Sequence, residues 1–181
     1  MEKLILKAAR NAIKEEFTGK SLIDRKVLAD KNPELSEYGA AFVTLTKDNK
    51  LRGCIGSIES YRPLIDDIIG NAKSAAFNDP RFEPVRFEEL EDISIEVSIL
   101  STPQPVNYES IEQLKKLIKP LIDGVILSKG IHRAVFLPQV WEQLNDFDTF
   151  FKHLCNKAGL QNDCLKMHPH IEIFRVTIIE E

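Results

Sequence analysis

One hexapeptide, Leu51-Arg52-Gly53-Cys54-Ile55-Gly56, concentrates groups that could do chemistry. It reads as a strand, and glycine weakens a strand unless a bulge, or the close approach of another backbone or a ligand, requires it. On a regular strand Arg52, Cys54 and Gly56 share one face, with the α-carbons of residues 52 and 54 about 6.5–7 Å apart. A guanidinium at that range favours thiolate over thiol, so Arg52 would be the electrostatic activator of a Cys54 nucleophile or covalent tether. The plainer alternative has Cys54 packed in the sheet and Arg52 paired with an acid elsewhere. Asp79, Arg81 and Glu83 add three charges to a loop stiffened by Pro80 and Pro84. Such a loop can clamp a polar ligand, with Arg81 suited to carboxylate or phosphate, or it can be a local ion pair that holds the turn. His132 is a candidate base for Cys54 if the two halves of the chain face each other; otherwise it is an exposed strand residue. Cys54 and Arg52 are thus the candidate catalytic residues, and Gly53, Gly56, Asp79, Arg81 and His132 the candidate ligand-binding ones.

Other chemistries find less support. His153, Cys155, Cys164, His168 and His170 invite a metal reading, yet residues two apart on a helix point to nearly opposite sides. Cys155 also belongs to an apolar stripe, and Cys164, His168 and His170 fall short of the four close ligands of a structural zinc site. No metal is assigned. Neither a Gly-x-Gly-x-x-Gly run nor a P-loop is present, and Ser57 lies in no Gly-x-Ser-x-Gly elbow. No cofactor is identified.

The elements that must position these residues follow from spacing. Leu4, Ile5, Ala8, Ala9, Ala12 and Ile13 form one helical stripe that Gly19 stops. Residues 21–38 are polar and read as loop or short helix. Strands over 40–45 and 51–58 join through Lys47-Asp48-Asn49-Lys50 as a hairpin. Pro63 opens a helix carrying Leu64, Ile65, Ile68, Ile69, Ala72, Ala75 and Ala76 on its apolar side. Ile93, Ile95, Val97 and Ile99 alternate with Ser94, Glu96 and Ser98, the mark of a half-buried strand. Ser110 with Gln113 has capping-box spacing for a short helix that Pro120 closes. A second hairpin spans 124–137, Phe147 to Ala158 forms a helical stripe stopped by Gly159, and a last strand covers 171–179. Trp141 reads as a core plug. Strand-strand-helix-strand thus occurs twice, in lobes near 40–100 and 121–179. The hairpins make this α+β, with antiparallel sheets and flanking helices.

Composition sets the limits. A chain of 181 residues suits a single domain. Its 24 basic and 28 acidic residues give a formal net charge of −4, which disfavours a non-specific nucleic-acid or anionic-membrane binder. No run approaches the ~20 apolar residues of a membrane span, and the first ten residues are unlike a signal peptide. Three cysteines, an odd number without an export signal, read as reduced thiols in the cytoplasm.

Several stretches together resemble the AMMECR-type domain family, named from the Alport syndrome, midface hypoplasia and elliptocytosis chromosomal region. They are LRGCIG at 51–56, Ala76-Phe77-Asn78-Asp79-Pro80-Arg81-Phe82 with Pro84, Leu137-Pro138-Gln139-Val140, and Phe151-Lys152-His153-Leu154-Cys155-Asn156-Lys157-Ala158-Gly159-Leu160. The stretches keep the family's order, so the resemblance covers essentially the whole chain, 1–181, as one domain. It implies a two-lobed α+β fold with the RGCIG strand near the groove between the lobes. It also implies partners: microbial members are grouped with a Memo-like protein and a radical S-adenosylmethionine protein in the AmmeMemoRadiSam system. It carries no reaction. Two functions therefore stay open. One is a small-molecule enzyme or substrate-presenting component built around Cys54; the other is a non-catalytic interaction module, a scaffold or adaptor.

Overall fold

The computed structural model describes the backbone of residues 1–181 and the side chains of all of them except Ala29. The chain begins with α1 (Glu2–Thr18), α2 (Arg25–Lys31), β1 (Tyr38–Lys47), β2 (Lys50–Gly56), β3 (Arg62–Pro63), α3 (Leu64–Phe77) and β4 (Ile93–Leu100). It continues through β5 (Gln104–Pro105), α4 (Ile111–Leu117), β6 (Gly124–Lys129), β7 (His132–Phe136), α5 (Val140–Gln143), α6 (Phe147–Lys157), β8 (His170–Phe174) and β9 (Val176–Glu180). Two units result: residues 1–100 with 177–181, and residues 101–176. Among the described residues, no helix is long and apolar enough to cross a membrane.

Unit 1 is built on a sheet of order β2-β1-β4-β9, with β3 also pairing β1. The β1–β2 hairpin turns at Asp48 and Asn49, both at positive φ, as a two-residue turn matched to strand twist requires. β1 and β4 pair without interruption from Ala40↔Leu100 to Lys47↔Ile93. Because side chains alternate across a sheet, Val43, Leu45, Ile95 and Val97 lie on one buried face, together with the stripes of α1 and α3. Each large aliphatic side chain so buried stabilises the unit by about 1.5–3 kcal/mol. The expected alternation of β4 holds for Ile93, Ile95 and Val97, with Ser94 exposed. Ile99 is only half-buried, and Ser98, on the opposite face, is buried too.

Unit 2 carries the order β5-β8-β6-β7. Phe147, Phe150, Phe151, Leu154 and Cys155 supply the buried stripe of α6. Trp141 stacks on Phe150 and donates from Nε1 to the Asp123 carbonyl at 3.0 Å, so the indole is a core plug with its polar atom satisfied. Ser110 caps α4 by accepting from the Gln113 N–H.

Two expectations are corrected here. The single strand expected over 171–179 is two strands in different sheets. At the break, the Arg175 N–H donates to Ser101 Oγ (2.9 Å) and its carbonyl accepts from the Ser101 N–H (2.8 Å). β8 therefore joins unit 2, and β9 pairs into the sheet of unit 1. Nor are all three cysteines reduced: Cys155 and Cys164 form a disulfide, and both are buried. After α6 the chain reverses through Gly159 at φ 74°, returning residue 164 to within 5.8 Å of residue 155, Cα to Cα, inside bridging range. The cysteine count thus loses its force as an argument for a reducing compartment.

Candidate functional site

β2 is an edge strand, and its irregularity decides where the charges go. Opposite β1 the register runs Leu45↔Gly53 and then Thr46↔Leu51, which leaves Arg52 without a cross-strand partner. An extra residue of this kind is a β-bulge, and a bulge re-aims the side chain it carries. Arg52 turns to Glu89, donating from Nε and Nη2 to the two carboxylate oxygens, both at 3.0 Å. Its remaining donors reach the Glu83 and Pro84 carbonyls at 2.8 and 3.3 Å. Those hydrogen bonds outweigh desolvation and hold the Glu89 carboxyl at about 2. The expected Arg52–Cys54 partnership is therefore corrected. Regular strand geometry, on which it rested, fails at residue 52.

Cys54 has a different cation. Cross-strand pairing with Thr44 leaves its N–H and C=O pointing out of the sheet edge. The N–H donates to Asp79 Oδ2 at 2.9 Å, and the carbonyl accepts from Arg81 Nη2 at 3.1 Å. Arg81 grips the same carboxylate with Nε on Oδ1 (2.9 Å) and Nη2 on Oδ2 (2.7 Å), and its own N–H donates to Oδ1. The loop after α3 thereby supplies the donor and acceptor that a further strand would have supplied. Asp79 is buried, and the Arg81 hydrogen bonds keep its carboxyl far below the usual carboxylate range. Arg81 is raised above its already high value, chiefly by its hydrogen bonds to Asp79. The Sγ atom accepts a hydrogen bond from Thr44 Oγ1 at 3.4 Å. Cys54 is half-buried and is the free cysteine of the chain.

Of the expected clamp, then, Asp79 is consumed in holding Arg81 and the strand. The Arg81 side chain, 53% exposed, keeps surface that a ligand can reach. The glycines answer to internal packing. A Cβ on Gly53 would sit 2.1 Å from the Ala75 carbonyl oxygen, so its absence lets α3 lie against β2. A Cβ on Gly56 would fall 2.2 Å from the ring of its cross-strand neighbour Phe42. His132 lies in unit 2, where its Nδ1–H donates to the Ala158 carbonyl at 2.9 Å. The Cys164, His168 and His170 trio loses its thiol to the disulfide.

A second carboxylate went unread in the sequence. Asp67, fully buried on α3, accepts from the Ala41 N–H and Asn71 Nδ2 on one oxygen, both at 2.9 Å. Its other oxygen accepts from Ser57 Oγ (2.7 Å) and Arg62 Nε (2.8 Å). Asn71 also donates to the Ala41 carbonyl at 2.9 Å. A signal was available: Asp67 and Asn71 stand four apart, on the same helical side as Leu64 and Ile68, where polar groups need partners.

Known proteins resemble the chain over most of its length. The AMMECR1 family model matches residues 6–179. A protein of Methanothermobacter thermautotrophicus is 42% identical over 173 residues, covering 94% of this chain and 88% of that protein. A Saccharolobus solfataricus protein is 41% identical over 187 residues, covering 99% and 81%. The crystal structure of the uncharacterized protein PH0010 from Pyrococcus horikoshii superposes with a TM-score of 0.82 at 38% identity, covering 98% of this chain and 90% of that one.

Proposed function

The chain belongs to the AMMECR1 family, and on that footing we propose that it is a small-molecule enzyme, or a substrate-presenting component, whose reacting atom is Cys54 Sγ. The observation that supports this is the setting of the one free thiol. It is half-buried and hydrogen-bonded by Thr44, with the Arg81 guanidinium on the carbonyl of the same residue, while the other two cysteines are locked together. Arg81 takes the activating role first expected of Arg52, because a fixed positive charge stabilises thiolate. Asp79 is a positioning residue that aims Arg81. Gly53 and Gly56 shape the strand, and His132 is left as a candidate ligand contact within unit 2 alone. A Memo-like protein and a radical S-adenosylmethionine protein are the proposed partners, supported by family membership alone.

The interaction-module reading draws on one observation: the Asp79 carboxylate is spent on the strand edge and the Arg81 backbone, as a purely structural loop would spend it. Native alkylation separates the two. The folded protein is treated with iodoacetamide and each cysteine is followed by peptide mass spectrometry. Cys54 is expected to label in the native state, and Cys155 and Cys164 only after reduction and unfolding. If Cys54 resists until the protein unfolds, the thiol chemistry is lost and the interaction module takes its place.

A further inference from the structure

Register places a second functional group beside Cys54. Thr44 pairs with Cys54 on β2 and with Glu96 on β4, so the three side chains form one row across the sheet, on the face opposite Val43 and Val97. With strands about 4.8 Å apart, the row spans about 10 Å from Cys54 to Glu96. All three residues are half-buried. Glu96 accepts one hydrogen bond, from Ser98 Oγ to Oε1 at 3.0 Å. Among the described residues it has no cation partner, whereas Glu89 is paired with Arg52 and Asp79 with Arg81. A half-buried carboxylate without a counter-charge is poorly solvated, and a ligand cation arriving there gains more than it would in open water. Arg81, at the outer edge of β2, is held by Asp79 and the Cys54 carbonyl through Nε and Nη2, which leaves Nη1 of its half-exposed side chain for an anionic group.

We propose that Arg81, Cys54, Thr44 and Glu96 form a binding site for a small dipolar molecule, a zwitterion of dipeptide size. Its anionic end lies at Arg81, its cationic end at Glu96, and its central carbonyl over Cys54 Sγ. This deepens the Cys54 reading and rests on it. The two charges sit on different elements, the loop after α3 and strand β4, so the site discriminates by charge at each end independently.

The test uses three methanethiosulfonates on the full chain: the neutral methyl reagent, the cationic aminoethyl reagent and the anionic sulfonatoethyl reagent. In each, the Cys54 thiolate attacks the sulfenyl sulfur, a mixed disulfide forms and methanesulfinate leaves, so the ratio of variant to wild-type rate, taken reagent by reagent, isolates the charge carried. Glu96→Gln is expected to slow the cationic reagent about tenfold, with the anionic one changed less than twofold. Arg81→Met is expected to slow all three reagents through loss of the charge that favours thiolate, and the anionic one about tenfold more than the other two, with Arg81→Lys restoring the wild-type preference. Unaltered charge selectivity in Glu96→Gln, or an equal loss with all three reagents, overturns the dipolar site while leaving Cys54 reactive. Failure of even the neutral reagent to reach Cys54 in the native protein overturns the Cys54 reading, and the dipolar site with it.

Discussion

Two aspartates in unit 1 do the same mechanical job in opposite settings. Asp67 accepts the Ala41 N–H while Asn71, one turn along α3, donates to the Ala41 carbonyl. Asp79 accepts the Cys54 N–H while Arg81, two residues along the loop, donates to the Cys54 carbonyl. Asp79 and Arg81 satisfy both backbone groups of Cys54 as a further strand would, whereas Asp67 does so for the Ala41 N–H and Asn71 shares the Ala41 carbonyl with the Ser57 N–H. The difference lies in the second partner. Asn71 is neutral and 5% exposed, and its clamp is closed by Ser57 and Arg62. Arg81 is charged and 53% exposed, and its clamp ends beside a thiol. One arrangement fixes a strand end. The other fixes a strand edge and holds a cation against the group most able to react.

That contrast can be broken by mutation. Asp67→Ala is expected to have the largest effect on stability, about 3–5 kcal/mol. It leaves the Ala41 N–H buried without its acceptor, removes one of the acceptors of the Asn71 amide and strips Arg62 of its counter-charge. A urea transition at unchanged slope would measure it. Asp79→Asn is expected to cost less, about 2 kcal/mol, since part of its surroundings can rehydrate. It should, however, slow Cys54 alkylation at constant pH, because Arg81 is no longer aimed. If Asp67→Ala impaired alkylation of the residual folded protein as much as Asp79→Asn does, the division between the two clamps would fail.

Acid titration sharpens the same comparison. Glu89 lies at about 2 in the folded protein against an ordinary 4.5, and Asp79 is also depressed. A depressed carboxyl contributes stability that is present above its unfolded value and is lost as pH falls through the folded one. Stability should therefore hold above about pH 5 and decline from there to about pH 2, followed by denaturant midpoints across that range. Arg52→Met should flatten the decline by removing the Glu89 share. An unchanged slope in that variant would mean that the Arg52–Glu89 pair contributes nothing to folding.

Much of the fold was legible because it rests on periodicity. The stripes of α1 and α3 and the alternation of Ile93, Ile95 and Val97 are each set by local spacing, and the structure keeps them. What escaped depends on register or on contacts distant in sequence. The bulge at Arg52 is a property of the β1–β2 pairing; the glycines of the hexapeptide allowed for one without placing it. The change of sheet at Arg175 depends on Ser101, far along the chain. The bridge between Cys155 and Cys164 needs the reversal at Gly159, and an odd cysteine count argued against it. At the candidate site the residue types were legible, but their partners were not. The cation beside Cys54 is the one 27 residues away, and the one two residues away is turned elsewhere.

The most direct measurement of that exchange is the rate of iodoacetamide alkylation of Cys54 in two single variants, Arg81→Met and Arg52→Met, at one pH near neutrality and with folding verified by circular dichroism. Arg81→Met is expected to slow Cys54 about tenfold, while Arg52→Met leaves the rate within about twofold of wild type. A slow Arg52→Met beside an unaffected Arg81→Met would contradict this, returning the activating charge to the residue the sequence first suggested.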